Sequence, residues 1–229
     1  MKNIKKKIFI TGTDTNVGKT LISCILLKKA QKFGFKSVGY KPVSCGSIIK
    51  KNNYKFNKDA YLLNKYSFKN FSLKDINPIH FDKSIPPHIA SKINKKKICF
   101  KKMSNGLKNI SKHANWILVE GAGGWHTPLS NKNKFSDWVI LEKLPVLIII
   151  AIKIGCINHA ILTKNAILNS KLKCSGWIAN NTYKKKETHH QEYISYLKKK
   201  LKIPFLGEVK FLKNKKINFN KIKINILLI

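Results

Sequence analysis

The fold of this chain is decided by one stretch near its start, residues 8–20, which reads IFITGTDTNVGKT. Its first three residues are apolar and β-prone, and they predict a buried strand. Apolar residues at helical spacing follow over positions 21–27 and predict a helix. A strand, a polar turn with glycine and a helix form the setting in which backbone N–H groups and a helix N-terminus bind phosphate.

The turn itself ends in Gly-Lys-Thr, as phosphate-binding loops do. The usual pattern places a glycine five positions before the second glycine, whereas here Gly12 lies one residue further from Gly18. An incidental Gly-Lys-Thr at an ordinary strand-to-helix turn is the alternative, and it is disfavoured because strand, loop and helix agree. We therefore expect Lys19 to reach the terminal phosphates of a nucleotide and Thr20 to ligate Mg²⁺.

The composition is that of a globular protein with an extreme charge. The chain has 229 residues, is 43% hydrophobic and carries a formal net charge of +36. All 46 basic residues are lysine. Specific readers of nucleic acid rely on arginine for bidentate base contacts, and these lysines are scattered. The charge predicts weak, salt-sensitive binding to polyanions, with no specific nucleic-acid partner.

The cysteines and the apolar runs favour a cytoplasmic protein. The five cysteines include no CxxC pair, so they indicate neither a disulfide framework nor a zinc site. The chain enters its first strand within a few residues, which leaves no room for a signal peptide. The longest apolar run, residues 144–152, is too short to span a bilayer and predicts a buried strand. We expect no membrane partner.

Predicted strands alternate with predicted helices along the whole chain. Several strands are apolar throughout, which is typical of a parallel sheet covered on both faces. We predict an α/β fold of the P-loop NTPase type, with a mostly parallel sheet and helices on both faces, as a single domain over residues 1–229. The predicted strands are 8–10, 37–41, 116–119, 145–152 and 174–179. The predicted helices are 19–33, ended by Gly34, and 59–66, 88–93, 103–113, 158–169 (with Asn158 as N-cap) and 189–201.

Four polar loops follow strand ends, where ligands collect in such folds: residues 12–20, 41–47, 120–124 and 180–181. Glu120 follows four apolar residues, at the place where phosphate-loop enzymes keep a carboxylate for Mg²⁺. The glycines after it let backbone N–H groups approach an anion. The alternative is an exposed glutamate in a tight turn.

Three further polar positions are candidates on residue chemistry alone. Lys41 precedes Pro42, which holds it extended, and is placed to stabilise charge during phosphoryl transfer. Asn180 and Asn181 offer amide donors and acceptors for an adenine edge, or form an ordinary turn. Asp59, taken by itself, is favoured as the N-cap of the helix that begins there.

These motifs together resemble one family, dethiobiotin synthetase in its bacterial form. The stretches that carry the likeness are 11–20, 39–43, 119–125 with 127–129, 155–160 and 176–180. The resemblance implies an ATP-dependent cyclo-ligase of biotin biosynthesis. CO₂ adds to one amine of 7,8-diaminononanoate, ATP phosphorylates the carbamate, and the second amine closes the ureido ring to give dethiobiotin, ADP and phosphate. ATP and CO₂ or bicarbonate are then co-substrates, and Mg²⁺ is the metal.

The resemblance also implies a role for individual residues. Lys41, Lys19 and Thr15 match catalytic positions, and Thr20, Asp59 and Glu120 match Mg²⁺ ligands, which replaces the N-cap interpretation of Asp59. ATP contacts fall on Asn16, Val17, Gly18, Lys19, Thr20, Leu21, Asp59, Glu120, Gly121, Ala122, Gly123, Asn180, Asn181, Lys210, Phe211 and Leu212. Substrate contacts fall on Ser44, Cys45, Gly155, Cys156, Asn158 and Tyr193. The last four resemble a site for the substrate's carboxylate tail, contributed by the neighbouring subunit of a homodimer.

The chain departs from the family pattern in several places: residues 183–190 carry one extra residue, which affects the match at Tyr193, the acidic residue expected beyond Leu212 is absent, and two site positions differ. Cys45 stands where bacterial relatives usually have Ser, so contact with substrate there is weaker or is made by Ser44. Asn16 replaces a frequent Glu in the phosphate loop.

Three other functions compete with this interpretation. An amidotransferase-type cobyrinate synthetase needs a glutaminase domain, for which 229 residues leave no room. A partitioning-type ATPase that binds DNA or membrane prefers a second lysine near the start of the loop, where this chain has Gly12-Thr13-Asp14. A non-catalytic polyanion binder is supported by net charge alone.

Overall fold

The computed structural model describes residues 5–49, 54–183, 187–212, 219 and 222–228, in which strands and helices alternate. The strands are β1 Lys6–Gly12, β2 Ser37–Tyr40, β3 Val43–Cys45, β4 Ile48–Ile49, β5 Lys55–Phe56, β6 Ile79–Phe81, β7 Trp116–Gly124, β8 Val146–Ala151, β9 Cys174–Asn180 and β10 Phe205–Val209. The helices are α1 Lys19–Lys32, α2 Lys58–Tyr66, α3 Leu73–Ile76, α4 Pro87–Ile93, α5 Phe100–Ile110, α6 Phe135–Leu141, α7 Cys156–Asn169 and α8 His190–Leu201, followed by a 3₁₀ turn, Ile226–Leu228.

Six strands form one sheet in the order β10-β9-β8-β1-β7-β2, and every pair in it is parallel. Successive residues of β1 point to opposite faces, so Phe9 packs in one apolar cluster and Ile8 and Ile10 pack in the other. Helix α1 covers the second cluster, and residues of α5, α6, α7 and α8 cover the first. The expected α/β architecture with helices on both faces is confirmed.

The central position of β1 places its loop at the middle of the carboxyl edge. β1 pairs with β7 on one side and β8 on the other. β7 is longer than the sequence predicts, because Glu120 pairs opposite Ile10 and Gly124 opposite Gly12, with a shift of register between them. Gly121 in this part of the strand faces Phe9, whose ring atom Cζ would lie 2.7 Å from an added Cβ. Close packing of β7 on β1 therefore requires glycine there.

Several helix starts differ from the sequence prediction, and α5 spans Phe100–Ile110 where residues 103–113 were predicted. The prediction that Asn158 caps α7 is wrong: the helix begins at Cys156, and its N-cap is Gly155, at φ +83°. Asn57 caps α2, where its Oδ1 accepts a hydrogen bond from the N–H of Ala60 at 3.1 Å, so Asp59 lies inside the first turn of α2. At the other end of α1, Gly34 has φ +79° directly after the C-cap Phe33, as predicted.

Some elements were not predicted at all. The edge strand β10 pairs in parallel with β9, in a segment for which no strand was predicted. Residues 48–58, which the sequence indicates as a polar, exposed loop, include the antiparallel pair β4–β5, and residues 50–53 lie outside the described residues. A second parallel pair, β3–β6, forms beside the sheet. In the part of the chain that is described, no helix combines the length and the apolar character needed to cross a membrane.

Candidate active site

A cavity of about 820 Å³ opens at the carboxyl edge of the sheet, where the strand-end loops meet. The residues that line it come from the loop after β1, from β3, α2 and the end of β7, and from the segment before α4. Those that matter below are Thr15, Asn16, Gly18, Lys19, Thr20, Leu21, Lys41, Ser44, Cys45, Asp59, Glu120, Ala122 and Gly123. Three of the four loops that were predicted to share one site, residues 12–20, 41–47 and 120–124, contribute to this lining, whereas residues 180–181 do not.

The loop between β1 and α1 is folded back on itself by its lysine. The Nζ of Lys19 donates to the backbone oxygen of Asp14 at 3.0 Å. Burial, and then the nearby Lys41, lower the pKa of Lys19 to about 8, against the opposing pull of Glu120. Gly18 is the N-cap of α1 at φ +90°, a conformation that non-glycine residues rarely adopt. The helix N-terminus and the lysine together form a receptor for an anion.

Lys41, Glu120 and Thr20 form the buried centre of the site. The Nζ of Lys41 donates to Glu120 Oε1 at 2.7 Å and to the backbone oxygen of Gly121 at 2.8 Å. The hydroxyl of Thr20 donates to the same Oε1 at 2.8 Å. Burial alone would lower the pKa of Lys41, but the carboxylates of Glu120 and Asp59 outweigh it and raise that pKa. Lys41 is thus a fixed positive charge at the wall of the cavity.

The donors around Glu120 fit a small, hard cation. Glu120 is fully buried, and its Oε2 has no hydrogen-bond partner among the described residues. Asp59, which is partly exposed, lies 3.7 Å from the Nζ of Lys41, and the hydroxyl of Thr20 is adjacent. In the described ranges no group of three or more His, Cys, Asp or Glu side chains is arranged to hold a metal. Mg²⁺, however, commonly uses one or two carboxylates together with substrate phosphates.

A second charged pair in the loop was not predicted. Lys153, just after β8, places its Nζ 3.3 Å from Asp14 Oδ2. Asp14 Oδ1 also accepts from the N–H of Thr15 at 2.7 Å. These contacts outweigh the effect of burial and lower the pKa of Asp14. The only sequence feature that marked Lys153 was its position after an apolar strand. Lysine is so common in this chain that this position does not stand out.

Asn180 ties the end of β9 to the phosphate loop. Its Nδ2 donates to the backbone oxygen of Val17 at 2.8 Å, and its buried Oδ1 has no partner among the described residues. Asn181 donates its N–H to the backbone oxygen of Val209 at 2.8 Å, which holds the ends of β9 and β10 together. The segment 210–212, with Phe211 exposed, follows directly. These residues, with Val17 and Gly121, lie outside the lining of the cavity described above.

Ser44 and Cys45 lie on β3 at the cavity wall. The Ser44 hydroxyl is close to two polar groups, and the Cys45 thiol is partly buried. The Ser44 hydroxyl lies 2.7 Å from Asn77 Oδ1 and 2.9 Å from His80 Nδ1. Burial raises the pKa of the Cys45 thiol to about 11, so the thiol is neutral at physiological pH. Asn77 also donates through Nδ2 to the backbone oxygen of Lys41 at 2.7 Å. Sequence reasoning missed Asn77 and His80, because no motif marks them.

The four residues matched to a substrate tail are not part of the cavity lining within this one chain. Gly155 caps α7, Cys156 is buried, Asn158 is exposed, and Tyr193 lies half-buried on α8, which packs against α7. A Cβ added at Gly155 would meet no atom within 4 Å, so the space in front of this helix end is open.

A parallel sheet with a phosphate-type loop after its central strand, a buried lysine and an acidic centre beside it define a P-loop nucleotide-binding protein. Solved structures agree on the fold. The chain is similar to a ParA family ATPase from Chlorobium tepidum TLS, at 14% identity and a TM-score of 0.56, covering 93% of this chain and 86% of that one. It is also similar to the cell division ATPase MinD of Pyrococcus furiosus, at 12% identity and a TM-score of 0.56, covering 90% and 84%.

Sequence relatives give the family. A profile described as an AAA domain matches residues 6–216. Proteins named ATP-dependent dethiobiotin synthetase BioD are 57% identical in Buchnera aphidicola from Acyrthosiphon pisum (strain 5A), over 96% of this chain and 98% of the relative. The enzyme named BioD 1 of Escherichia coli O157:H7 is 42% identical over 90% of each chain. The chain belongs to the dethiobiotin synthetase family, and the resemblance noted from the motifs is confirmed.

Proposed function

We propose that this protein is an ATP-dependent dethiobiotin synthase that forms the ureido ring of dethiobiotin from 7,8-diaminononanoate, CO₂ and ATP. The observation that carries the proposal is the convergence of Lys41, Glu120 and Thr20 beside the phosphate loop, at one wall of a cavity that Ser44 and Cys45 also line. This arrangement can hold an anionic carbamate next to the terminal phosphate of a nucleotide. The identity to the BioD relatives assigns the substrate class.

Phosphoryl transfer needs positioning and neutralisation of charge more than covalent chemistry by the protein. Lys19 would neutralise the terminal phosphates from within the loop. Lys41, buried and held in its charged form, would stabilise the carbamate and the transferring oxygens. Thr15, fixed at the cavity edge by Asp14, would orient the reacting groups. Each of these roles uses a group that the fold holds in place before ATP arrives.

Mg²⁺ belongs to the proposal because the donor set fits it. Thr20, Asp59 and Glu120 would hold it, and the unpartnered Oε2 of buried Glu120 is the atom best explained by a cation. When bound, Mg²⁺ neutralises the phosphate oxygens and so makes the γ-phosphorus easier to attack. Glu120 also keeps Lys41 oriented, so one carboxylate serves the metal and the lysine.

The nucleotide base would lie where β9 and β10 end. Asn180 and Asn181 supply amides there, and the segment Lys210, Phe211 and Leu212 follows the neighbouring strand. The link from Asn180 to Val17 couples this base site to the phosphate loop. ATP would therefore be held at both ends by groups that contact each other.

The substrate would be shared between two subunits of a homodimer in the cytoplasm. Ser44 and Cys45 would contact the diamine end. Gly155, Cys156, Asn158 and Tyr193 do not face the cavity of their own chain, and the open N-terminus of α7 is suited to a carboxylate. A second copy that presents this helix end to the cavity would bind the tail of the substrate.

ATP turnover of the purified protein tests the proposal. We expect ADP release to require both the diamine and bicarbonate, and dethiobiotin to appear in equal amount. The variant Lys19→Ala should lose both, whereas Lys28→Ala, a lysine on α1 whose Nζ donates to Gln31, should keep both. ATP turnover that depends on DNA or lipid and ignores the diamine would reject this function in favour of a partitioning-type ATPase.

A further inference from the structure

A chain of hydrogen bonds runs from Ser44 at the cavity wall to the protein surface through three residues, His80, Ser47 and Asp82, that have no role in the proposal above. It begins at Ser44, which lines the cavity, and reaches His80 Nδ1 at 2.9 Å. On the other side of the ring, His80 Nε2 lies 2.8 Å from the hydroxyl of Ser47. Ser47 donates to Asp82 Oδ1 at 2.7 Å. The Asp82 side chain is 50% exposed, so the chain ends in solvent.

The fold builds this chain through backbone pairing. β3 and β6 pair in parallel with Ser44 opposite His80. Beyond the strands, the N–H of Ser47 donates to the backbone oxygen of Asp82 at 2.9 Å, which continues the same alignment. Lys55 holds Asp82 from the surface side at 2.8 Å. Backbone pairing therefore places the side chains of Ser44, His80, Ser47 and Asp82 next to one another.

The His80 ring can be neutral with its proton on Nε2, neutral with its proton on Nδ1, or protonated on both nitrogens, and the first and the last are the states before and after it accepts a proton. A neutral His80 with its proton on Nε2 donates to Ser47, and Ser44 then donates its single proton to Nδ1. A protonated His80 donates on both sides, and Ser44 must then turn its proton to Asn77 Oδ1, which is 2.7 Å away. In both of these states each ring nitrogen of His80 has a hydrogen-bond partner, and the two states differ by one proton. Ser44 can change its hydrogen-bond partner without moving its oxygen.

We propose that His80, acting through the hydroxyl of Ser44, accepts a proton that a substrate amine releases and passes it through Ser47 to solvent. This inference rests on the proposed function, in which each amine must lose a proton when it forms its bond to carbon. In the first step the amine nitrogen bonds to the carbon of CO₂, one C–O π pair becomes the carbamate anion, and the N–H proton moves to the Ser44 oxygen. The proton of Ser44 moves at the same time to His80 Nδ1.

The imidazolium then becomes neutral by losing its Nε2 proton, which leaves the tautomer that carries its proton on Nδ1. The Nε2 proton passes to the Ser47 oxygen as the Ser47 proton passes to Asp82, which releases it to water. After product release, Nε2 takes a proton back from solvent through Ser47 and the Nδ1 proton leaves through Ser44 to water in the cavity, which restores the resting tautomer. Two charged groups act directly on His80: Asp82, whose carboxylate lies 3.6 Å from Nε2, and Lys96, whose Nζ lies 3.4 Å from the backbone oxygen of His80. Burial and Lys96 lower the pKa of His80 against the effect of Asp82, so the resting ring is neutral near pH 7. A neutral ring is the form that accepts a proton.

The test compares pH profiles of full-length variants in single-turnover formation of dethiobiotin, so that product release does not set the rate. We expect His80→Gln to slow the reaction by at least about tenfold at neutral pH, with the KM for the diamine within about threefold of wild type. The wild-type rate should fall as the pH drops through the pKa of His80, and this inflection should be absent in His80→Gln. The control His126→Gln removes another histidine that contacts a serine, at 3.3 Å, and should keep the wild-type profile.

A second pair of variants separates the relay from structural support. Ser47→Ala breaks the relay next to solvent and should slow the reaction, while Ser47→Thr keeps the hydroxyl and should restore it; this pair also carries the test if His80→Gln does not fold. An active His80→Gln with the wild-type pH profile, or Ser47→Ala equal to Ser47→Thr, would overturn the relay. A wild-type protein that forms no dethiobiotin would instead overturn the proposed function, and the relay with it.

Discussion

Lys41 and Glu120 are the residues on which the chemistry of the site depends. A lysine and a glutamate that are both buried lose their hydration, and only a close, well-bonded pair offsets that cost. Here the lysine donates at 2.7 Å to a carboxylate that Thr20 also contacts. We infer that this buried pair is held in position to interact with the charges of a carbamate, a metal ion and a phosphate.

Replacing Lys41 tests this role directly. We expect Lys41→Ala to lower turnover by about 10²- to 10³-fold, because the charge that stabilises the transferring oxygens is gone, while ATP binds within about threefold of wild type. Loss of the partner also leaves Glu120 buried and unpaired, at a cost of roughly 3–5 kcal/mol in the free energy of unfolding. Turnover, calorimetric ATP binding and thermal unfolding measure the three effects.

Two further variants complete that experiment. Lys41→Met keeps the volume of the side chain if the alanine variant is too unstable to purify. Lys28→Ala removes one positive charge from a partly buried lysine outside the site and should leave turnover unchanged. Near-normal turnover in both Lys41 variants would remove this lysine from the mechanism.

Individual site residues differed in how well the sequence predicted them. Lys19, Thr20, Lys41 and Glu120 were predictable because each follows the end of an apolar strand, where topology alone brings loops together. His80 lies inside a short strand whose pairing with β3 is not local, so nothing near it in the sequence marks it.

At the scale of elements, the loop between β1 and α1 depends on its contact with β9. Gly18 adopts φ +90°, and a Cβ there would lie 2.1 Å from the Nδ2 of Asn180. A side chain at this position would therefore strain the backbone and also push away the residue that ties β9 to the loop. The loop and the predicted base site are in this way one unit.

The variant Gly18→Ala should reduce ATP affinity by at least about tenfold, because both the loop and Asn180 must move. Gly34→Ala is the matched control: Gly34 has a similar φ of +79° but lies after the far end of α1, so it should cost about 1 kcal/mol in the free energy of unfolding and leave ATP affinity unchanged. Calorimetric titration with ATP and thermal unfolding of both variants provide the comparison. Equal ATP affinity in the two variants would contradict the coupling of loop and β9.

The elements that the sequence predicted correctly are those with a local signal. The apolar run that became β8 and the glycine that ends α1 are of this kind. The extension of β7 through Glu120 was not predictable, since glycines weaken a strand pattern and only pairing with β1 keeps them extended. The start of α7 was misplaced because Asn158 is a good N-cap residue, whereas the chain uses the left-handed conformation of Gly155. The strand β10 has too short a pattern to identify without its partner β9.

At the scale of the whole molecule, the question is whether one chain or two subunits build each active site, and the four residues matched to the substrate's tail bear on it. Within one chain, α7 and α8 place Gly155, Cys156, Asn158 and Tyr193 outside the cavity lining. If a second subunit supplies them, each site needs the phosphate loop of one chain and the helix end of the other. Neither subunit would then be active alone.

Mixing inactive variants tests that sharing. Lys19→Ala damages the loop, and Asn158→Asp places a carboxylate against the substrate's tail. In a mixed dimer one site carries both defects and the other none, so equal mixing should restore about a quarter of wild-type activity. A mixture of Lys19→Ala with Lys41→Ala is the control and should restore nothing, because both defects lie on the same side of the site. Equal recovery in the two mixtures, or none in the first, would contradict the shared site.

The central claim is that the site activates a carbamate by phosphorylating it, and the fate of one oxygen atom tests that most directly. In the proposed reaction the bridging oxygen of the carbamate–phosphate anhydride comes from CO₂ and leaves with the phosphate when the second amine closes the ring. With ¹⁸O-labelled CO₂, kept from exchange with water by rapid mixing, mass spectrometry should find one labelled oxygen in the phosphate for each dethiobiotin formed. Dethiobiotin accompanied by unlabelled phosphate under the same conditions would contradict the account.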